Sequence, residues 1–489
     1  MARSNPSVTA TLTSANSTAT YGGGIGSRGS SPEQALRRLV GANLLFENQY
    51  YRKGDATVKD LVDAQAQVEA KVVADLALEA ATTWKLRHVP LALAAALAMR
   101  DDSRGLVRPL VKQIVNRADA ETELLAIYAR LNGIDPGHLK GHIPMAIKRG
   151  LADAFSKWDE YQLAKYDRAR AIRLRDVMFL THPKPSQERA PIWTRLAKQE
   201  LATPDTWEVS LSGGADKKDT FIRLMNERKL GDVAFLRNLR NMLQSGVPIG
   251  LIDSEFDRRT FRQILPFQFI AASMENPALE TSLDLAMQKA MANQTQLPGK
   301  SLIVVDVSGS MHGSLSLKSK LDRLDAAAAL AILIRGSSES AVVYATAGND
   351  GTMVHKTAMV PARNGMALRD AIKQSMEKLG GGGIFFTQCL KYVQDQPGST
   401  DFARVIVITD EQDTDRVTER SPDRAPKMSD HNYIFNVGAY DIGLKAKAYW
   451  EVVTGFSEAS VKYVAFAEQV HQQSSSTSSD EEEVDDAAD

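Results

Sequence analysis

From Ser31 to about residue 294 apolar positions recur every three to four residues between short polar joins, whereas beyond Lys300 they fall into short continuous runs that end abruptly in polar residues. The first pattern predicts amphipathic helices, the second buried strands alternating with helices. Ser31-Pro32-Glu33-Gln34 has a cap hydroxyl, a proline at the first helical position and a glutamine three residues after the cap, which predicts a helix through Leu36, Leu39 and Val40. Thr57 is expected to cap a second helix through Leu61, Val68, Val72, Leu76 and Leu78. Further helices are predicted over about 88–100, 104–117, 120–131, 143–157, 158–181, 190–202, 216–228 and 232–244, with breaks at Gly105, Gly133, Gly150 and Gly246. No strand-like alternation precedes residue 300. Short helices with short loops suggest stacked helical pairs, each burying one face on its neighbour and leaving another free to bind. No strict sequence period marks the repeats, and a single helical bundle is the alternative.

The junction QTQLPGK, 294–300, opens the second pattern. Strand SLIVVDV is followed by a helix over Leu321 to Ile334, strands AVVYATAG and TAMVP, helices Gly365 to Leu379 and Thr387 to Gln394, strands ARVIVITD and NYIFNVG, and a last helix from about Ser457 to Gln469. Such alternation predicts a doubly wound, mostly parallel sheet, whose ligands sit beyond the carboxyl ends of the strands. The expected organisation is a disordered arm over 1–30, a helical-repeat unit over 31–294, an α/β unit over 295–472 and a low-complexity acidic tail over 473–489.

Composition bounds the function. The chain has 489 residues, 43% of them hydrophobic, yet no run of about 18 consecutive apolar residues, so no spanning helix is indicated. The amino terminus lacks the apolar centre of a signal peptide. One cysteine, Cys389, excludes an internal disulfide framework and fits a reducing cytoplasm. Seven acids in 480–489 leave 59 bases against 53 acids elsewhere, a modestly basic body that permits an anionic partner.

The run SLIVVDVSGS ends in three hard oxygen donors, Asp306, Ser308 and Ser310, a set that suits Mg²⁺. Asp410 ends the strand VIVITD and is expected at the same sheet edge, and Thr387 follows the flexible loop Gly380-Gly381-Gly382-Gly383. Singly, the serines read equally as helix caps and Asp410 as a strand terminus. Together, the five resemble the metal-ion-dependent adhesion site of a von Willebrand factor A domain. That resemblance implies a divalent metal, with Mg²⁺ as the expected ion, that grips an acidic side chain of a protein partner and does not catalyse.

The helical region carries a second resemblance. LAKYDRARAIRLRDVMFLTHPKP, 163–185, combines a basic helix bearing Lys165, Tyr166, Arg168 and Arg170 with a turn containing His182 and Lys184. DVAFLRNLRNM follows further on, with Asp232 as its expected cap. Both segments, ahead of an A-type domain, are similar to the TROVE module of Ro ribonucleoproteins. The resemblance implies a HEAT-like ring of helical repeats closed by the A-type domain. It also implies binding of small structured Y RNAs on a basic outer surface and of the single-stranded 3′ ends of misfolded non-coding RNA in a central hole. Matched through THPKP, the family's channel lysine and histidine fall on Lys165 and His182, while a channel arginine falls on Ala169, so that Arg168 or Arg170 would have to replace it. Tyr166 reads either as a stacking surface or as a half-buried structural tyrosine, and the basic helix by itself also reads as a solvated face paired with Asp167 and Asp176.

The expected function is therefore that of a cytoplasmic, monomeric, non-enzymatic RNA-binding scaffold that presents RNA ends to an exoribonuclease. The rival is a protein-interaction adaptor with a metal-dependent A-type domain and a peptide-binding solenoid. A metal-dependent nuclease is disfavoured because one metal with mostly hydroxyl ligands gives no two-metal clamp.

Overall fold

A computed structural model of the chain describes residues 17–19, 25–27, 31–42, 54–262, 264–315, 321–410, 426–438, 450–455 and 459–469. A short antiparallel pair, β1 (Ser17–Ala19) with β2 (Ile25–Ser27), precedes the helices, where the sequence shows no strand-like alternation. The first helix, Pro32–Ala42, opens as its sequence predicts: Gln34 N donates to Ser31 Oγ at 3.2 Å and Ser31 N to Gln34 Oε1 at 3.0 Å. The second begins at Gly54, so Thr57 lies inside it and is not its cap. Asp232 is likewise the first helical residue after Gly231, and its carboxylate instead holds Arg259 at 2.8 Å.

The helices pack both on the next helix, as Ala70–Thr82 on Val89–Leu97, and on the next but one, as Val107–Ile114 on Met145–Phe155 and Asp232–Gln244 on Pro266–Glu275. Gly105, Gly133 and Gly246 have φ of 86°, 64° and 80° and end helices or turns as expected. Gly150 does not break a helix. It lies within Met145–Phe155, where a β-carbon would come 2.7 Å from Val111 Cβ, so the glycine admits the neighbouring helix Val107–Ile114. The predicted helix over 158–181 is interrupted. Glu160–Tyr166 ends, and Leu174–Thr181 restarts where Asp176 Oδ2 accepts from Arg173 N at 2.9 Å and Asp167 Oδ1 from Leu174 N at 3.3 Å. Side-chain acceptors for exposed backbone donors thus override the helical period.

Beyond them, β3 (Leu297–Asp306), β4 (Ser338–Asn349), β5 (Val354–Met359), β6 (Arg404–Thr409), β7 (His431–Asn436) and β8 (Trp450–Thr454) form one sheet in the order β5-β4-β3-β6-β7-β8. Every neighbouring pair is parallel except β4 with β5. Two details were not expected. Strand β3 starts within the Pro298-Gly299 junction, with an irregular register between Leu297 and Lys300, and β8 adds a sixth strand.

Alternation along β3 divides the core. Ile303 and Val305 join a cluster running from Phe221 in the later helices through the helix Arg323–Ser337, while Leu302 and Val304 face Phe386, Leu390 and Val393 on the other side. A second large core fills the earlier helices from Leu36 to Leu196, and Ala459 belongs to it. The first and last described helices therefore meet. Gly41 packs on Tyr463, the Arg37 guanidinium lies 3.9 Å from the Phe466 ring centroid, and Lys462 Nζ donates to Thr83 O at 2.7 Å. A final helix over 460–469 is thus the joint between the first helices and the sheet.

Candidate functional site

Two groups of side chains carry chemistry. The first lies where β3 and β6 are neighbours and the strand order reverses direction, the crevice that such sheets use for ligands. Asp306 ends β3 and Asp410 follows β6, and both are fully buried. Asp306 accepts from Ser308 N at 2.8 Å and from Thr409 Oγ1 at 2.6 Å. The Ser308 and Ser310 hydroxyls are 3.0 Å apart, and Ser310 Oγ donates to Asp410 Oδ1 at 3.1 Å. The glycine loop folds over them: a β-carbon on Gly309 would lie 2.8 Å from Gly381 O. That loop leads to Thr387, near the start of the helix Phe386–Gln394, whose buried Oγ1 has no hydrogen-bond partner among the described residues.

Burial, reinforced by the charge of Asp410, pushes the Asp306 carboxyl up to about 7. Arg323, buried on the adjoining helix, donates through Nη1 to Asp410 Oδ2 at 2.9 Å and to Ser310 O at 3.0 Å. The set fits a hard cation, since two carboxylates and three hydroxyls supply oxygen donors and Thr387 lacks a partner. No group of three or more His, Cys, Asp or Glu side chains gathers as a metal site among the described residues, so binding here would depend on the hydroxyls. Cys389 is packed beneath, its thiol raised to about 11 by burial.

The second group is basic and aromatic. Lys165 Nζ lies 5.6 Å from the Tyr166 ring centroid and 5.7 Å from that of Tyr161. Arg117 Cζ approaches the same Tyr166 ring at 5.1 Å. Arg117 and Arg87 converge on two acids one turn apart on the helix Ala118–Leu131. Arg117 donates to Asp119 at 3.1 and 2.9 Å, and Arg87 to Asp119 at 2.7 Å and to Glu123 at 3.0 Å. Arg170 approaches Glu123 at 3.6 Å. Burial works against the Arg87 charge, but its hydrogen bond to Glu123 and the charges of Glu123 and Asp119 hold its pKa above the usual guanidinium value. His88, beside Glu123, is shifted the other way, chiefly by burial and then by Arg87 and Arg117.

The predicted RNA-facing residues do not all meet. Lys165 and Tyr166 touch, and Arg170 shares the acids of the Arg87 cluster. Arg168 points instead to Glu208 at 3.8 Å. His182 caps the helix Leu174–Thr181 in a left-handed conformation, φ 50°, and both it and Lys184 are exposed in their own turn. Lys165 also borders a cavity of about 450 Å³ with Tyr161, Trp207, Lys229 and Arg262. Arg87, Arg117, Tyr161, Trp207 and Arg323 were not singled out from the sequence. Arg87 and Arg323 gain their roles from partners distant in sequence, whereas Tyr161 and Arg117 lie close to Lys165 and Asp119 but carry no motif.

These features define a class: a run of helical pairs joined at both ends to a doubly wound α/β unit whose site lies at the sheet's switch point. Among solved structures, that of the Ro (Rsr) protein of Deinococcus radiodurans matches with a TM-score of 0.61 and 17% identity, over 90% of this chain and 100% of that one. At that identity the likeness is one of fold. No family model matches the sequence, and no curated protein matches it. Among the described residues no helix is long and apolar enough to cross a membrane.

Proposed function

We propose that this protein is an RNA-binding scaffold of the Ro type, working in the cytoplasm. It would hold a small structured, Y-like RNA and take the single-stranded 3′ end of misfolded non-coding RNA for delivery to an exoribonuclease, without cutting either. The observation that carries this reading is the placement of Lys165 and Arg117 on the Tyr166 ring, beside Arg87 and Arg170, on one half-exposed face. Cations that neutralise phosphates, set among aromatic rings and beside a cavity lined by Tyr161 and Trp207, suit an unpaired strand. The fold shared with the Ro protein over 90% of this chain supports the same reading.

In this scheme Asp306, Ser308, Ser310, Thr387 and Asp410 would hold Mg²⁺. A bound divalent cation supplies a docking point for a partner's carboxylate. The orphaned Thr387 hydroxyl also favours a second reading, in which the α/β unit docks an acidic protein and the helices bind peptide.

Fluorescence anisotropy with a hairpin RNA carrying a single-stranded 3′ tail separates the two. RNA binding should weaken steeply with salt, and the double change Lys165→Ala, His182→Ala should weaken tail binding selectively. Absence of salt-sensitive binding by the unaltered protein would refute the RNA reading. The adaptor reading instead expects a protein partner that is lost on Asp306→Ala or on chelation.

A further inference from the structure

We propose that Arg87, Arg117 and Arg170 form a clamp for consecutive phosphates of an unpaired strand, with Asp119 and Glu123 as the positioning residues that hold it open. The inference rests on the RNA reading above and extends it to residues outside the basic helix.

The three arginine side chains are 42%, 44% and 46% exposed, whereas those of Asp119 and Glu123 are 7% and 12% exposed. The acids thus lie beneath and the guanidinium groups form the surface. Arg117 uses Nε and Nη2 on Asp119, and Arg87 uses the same two nitrogens on Asp119 and Glu123. Their Nη1 groups donate to nothing among the described residues. A guanidinium has five N–H donors in a rigid fork, so each keeps donors for an anion after its inner edge is fixed. Fixing the fork in advance removes much of the side-chain ordering cost that an exposed arginine meets on binding.

Charge distinguishes this from an ordinary structural network. Two arginines would neutralise two carboxylates; Arg170 is a third, and Lys165 lies just across Tyr166. The surplus is positive and outward, next to an aromatic ring that Arg117 already approaches. Phosphates spaced along a strand, with bases free to meet aromatic side chains, match this arrangement better than an acidic peptide does.

The test uses the full chain and three probes: a ten-residue oligouridylate, inorganic tripolyphosphate and an oligoglutamate. The double variant Arg87→Gln, Arg117→Gln should bind the oligouridylate at least tenfold more weakly at low salt. The slope of log affinity against log salt should fall by ~0.7 for each phosphate that the variant no longer neutralises. Arg170→Gln, which breaks no close hydrogen bond, should lower the slope on its own and guards against misfolding of the double variant. The lysine double variant, Arg87→Lys with Arg117→Lys, should keep most of the slope while losing affinity. Unchanged slope and affinity in the glutamine variants, with tail binding still abolished by Lys165→Ala and His182→Ala, would overturn the clamp and leave the RNA reading intact. Tripolyphosphate binding that depends on the arginines, without any oligouridylate binding, would support the anion clamp and refute the RNA reading. Tighter binding of oligoglutamate than of oligouridylate would overturn the clamp as a phosphate site.

Discussion

Arg323 places its Nη1 2.9 Å from Asp410 Oδ2, and the two side chains are 5% and 0% exposed. A guanidinium therefore already neutralises one of the two acids that a metal would need, and among the described residues no cation pairs with Asp306. Breaking a buried pair by removing one partner strands the other charge, at a cost of about 3–5 kcal/mol. Arg323→Gln should lower stability by that order in metal-free buffer. If Mg²⁺ can take over at Asp410, adding MgCl₂ should raise the melting temperature of the variant more than that of the parent, because a ligand that binds only the folded state stabilises it by mass action. Thermal unfolding with and without MgCl₂ decides the matter: equal shifts in both proteins would mean that arginine and cation do not compete.

A second buried acid gives a pH signature. Glu121 is fully buried, accepts from Trp158 Nε1 at 2.9 Å, and leaves Oε2 without a hydrogen-bond partner among the described residues. Burial pushes its pKa up to about 8, against an ordinary value of 4.5. Below 4.5 the carboxyl is protonated in both folded and unfolded chains. Between 4.5 and 8 the unfolded chain gives up a proton that the folded one keeps, so stability falls as pH rises through this window, by at most ~1.4 kcal/mol per pH unit from this group. Glu121→Gln keeps an acceptor for Trp158 and removes the titration. Urea midpoints at pH 6 and pH 8 should converge in the variant relative to the parent; parallel losses in the two would assign the pH dependence elsewhere.

Much of the α/β unit was legible because its strands are buried on both faces and therefore read as apolar runs that stop at Asp306 and Asp410. The oxygen donors were legible too, since Asp306 and Asp410 close buried strands, Ser308 and Ser310 sit in the turn straight after β3, and Thr387 follows the glycine loop. Arg323 was not, because next to Asp322 it looks like the first turn of any capped helix. Arg87 was not, because only folding brings it to Asp119 and Glu123, and Arg117 was not, because an arginine two residues before an acid reads as a local surface pair. The helix over 158–181 was read as continuous because its apolar period continues, but Asp167 and Asp176 satisfy backbone donors on their own and split it. Gly150 misled in the opposite direction. Glycine signals either a break or a close approach, and only the neighbour decides which.

That close approach is testable. Gly150→Ala would gain up to ~1 kcal/mol of helix propensity, yet its β-carbon would lie 2.7 Å from Val111 Cβ and 3.0 Å from Arg108 O. Overpacking of this kind costs about 1–3 kcal/mol, so a net loss is expected in chemical denaturation. Adding Val111→Ala removes Cγ1, 2.8 Å from the new β-carbon, and should recover a small part of the loss, since the contact with the β-carbon of residue 111 remains. A Gly150→Ala variant as stable as the parent would show that the two helices can separate freely.

A buried fork braces the joint between the last described helix and the sheet. Arg404, 1% exposed at its side chain, donates from Nε and Nη2 to Glu468 at 2.6 and 2.8 Å, from Nη1 to Ser301 Oγ at 2.9 Å, and from Nη2 to Pro298 O at 2.6 Å. Glu468 belongs to the final helix, whose Tyr463 and Phe466 meet Gly41 and Arg37 of the first helix. Arg404 thus ties strand β6 to the final helix by hydrogen bonds, beside the apolar packing of Ile406 and Ile408 in the cluster that holds Val461 and Tyr463. Arg404→Met fills similar volume but leaves the Glu468 carboxylate buried and unpaired, for which a loss of about 3–5 kcal/mol is expected. Pairing it with Glu468→Leu removes the stranded charge and should restore much of the stability, so the double variant should be more stable than Arg404→Met alone. If the fork also fixes the joint, amide exchange in Pro32–Ala42 should quicken in Arg404→Met while exchange in Val107–Ile114, away from the joint, changes less. Uniform quickening in both helices would mean that the fork supports global stability only and that the two ends are held together by their apolar packing.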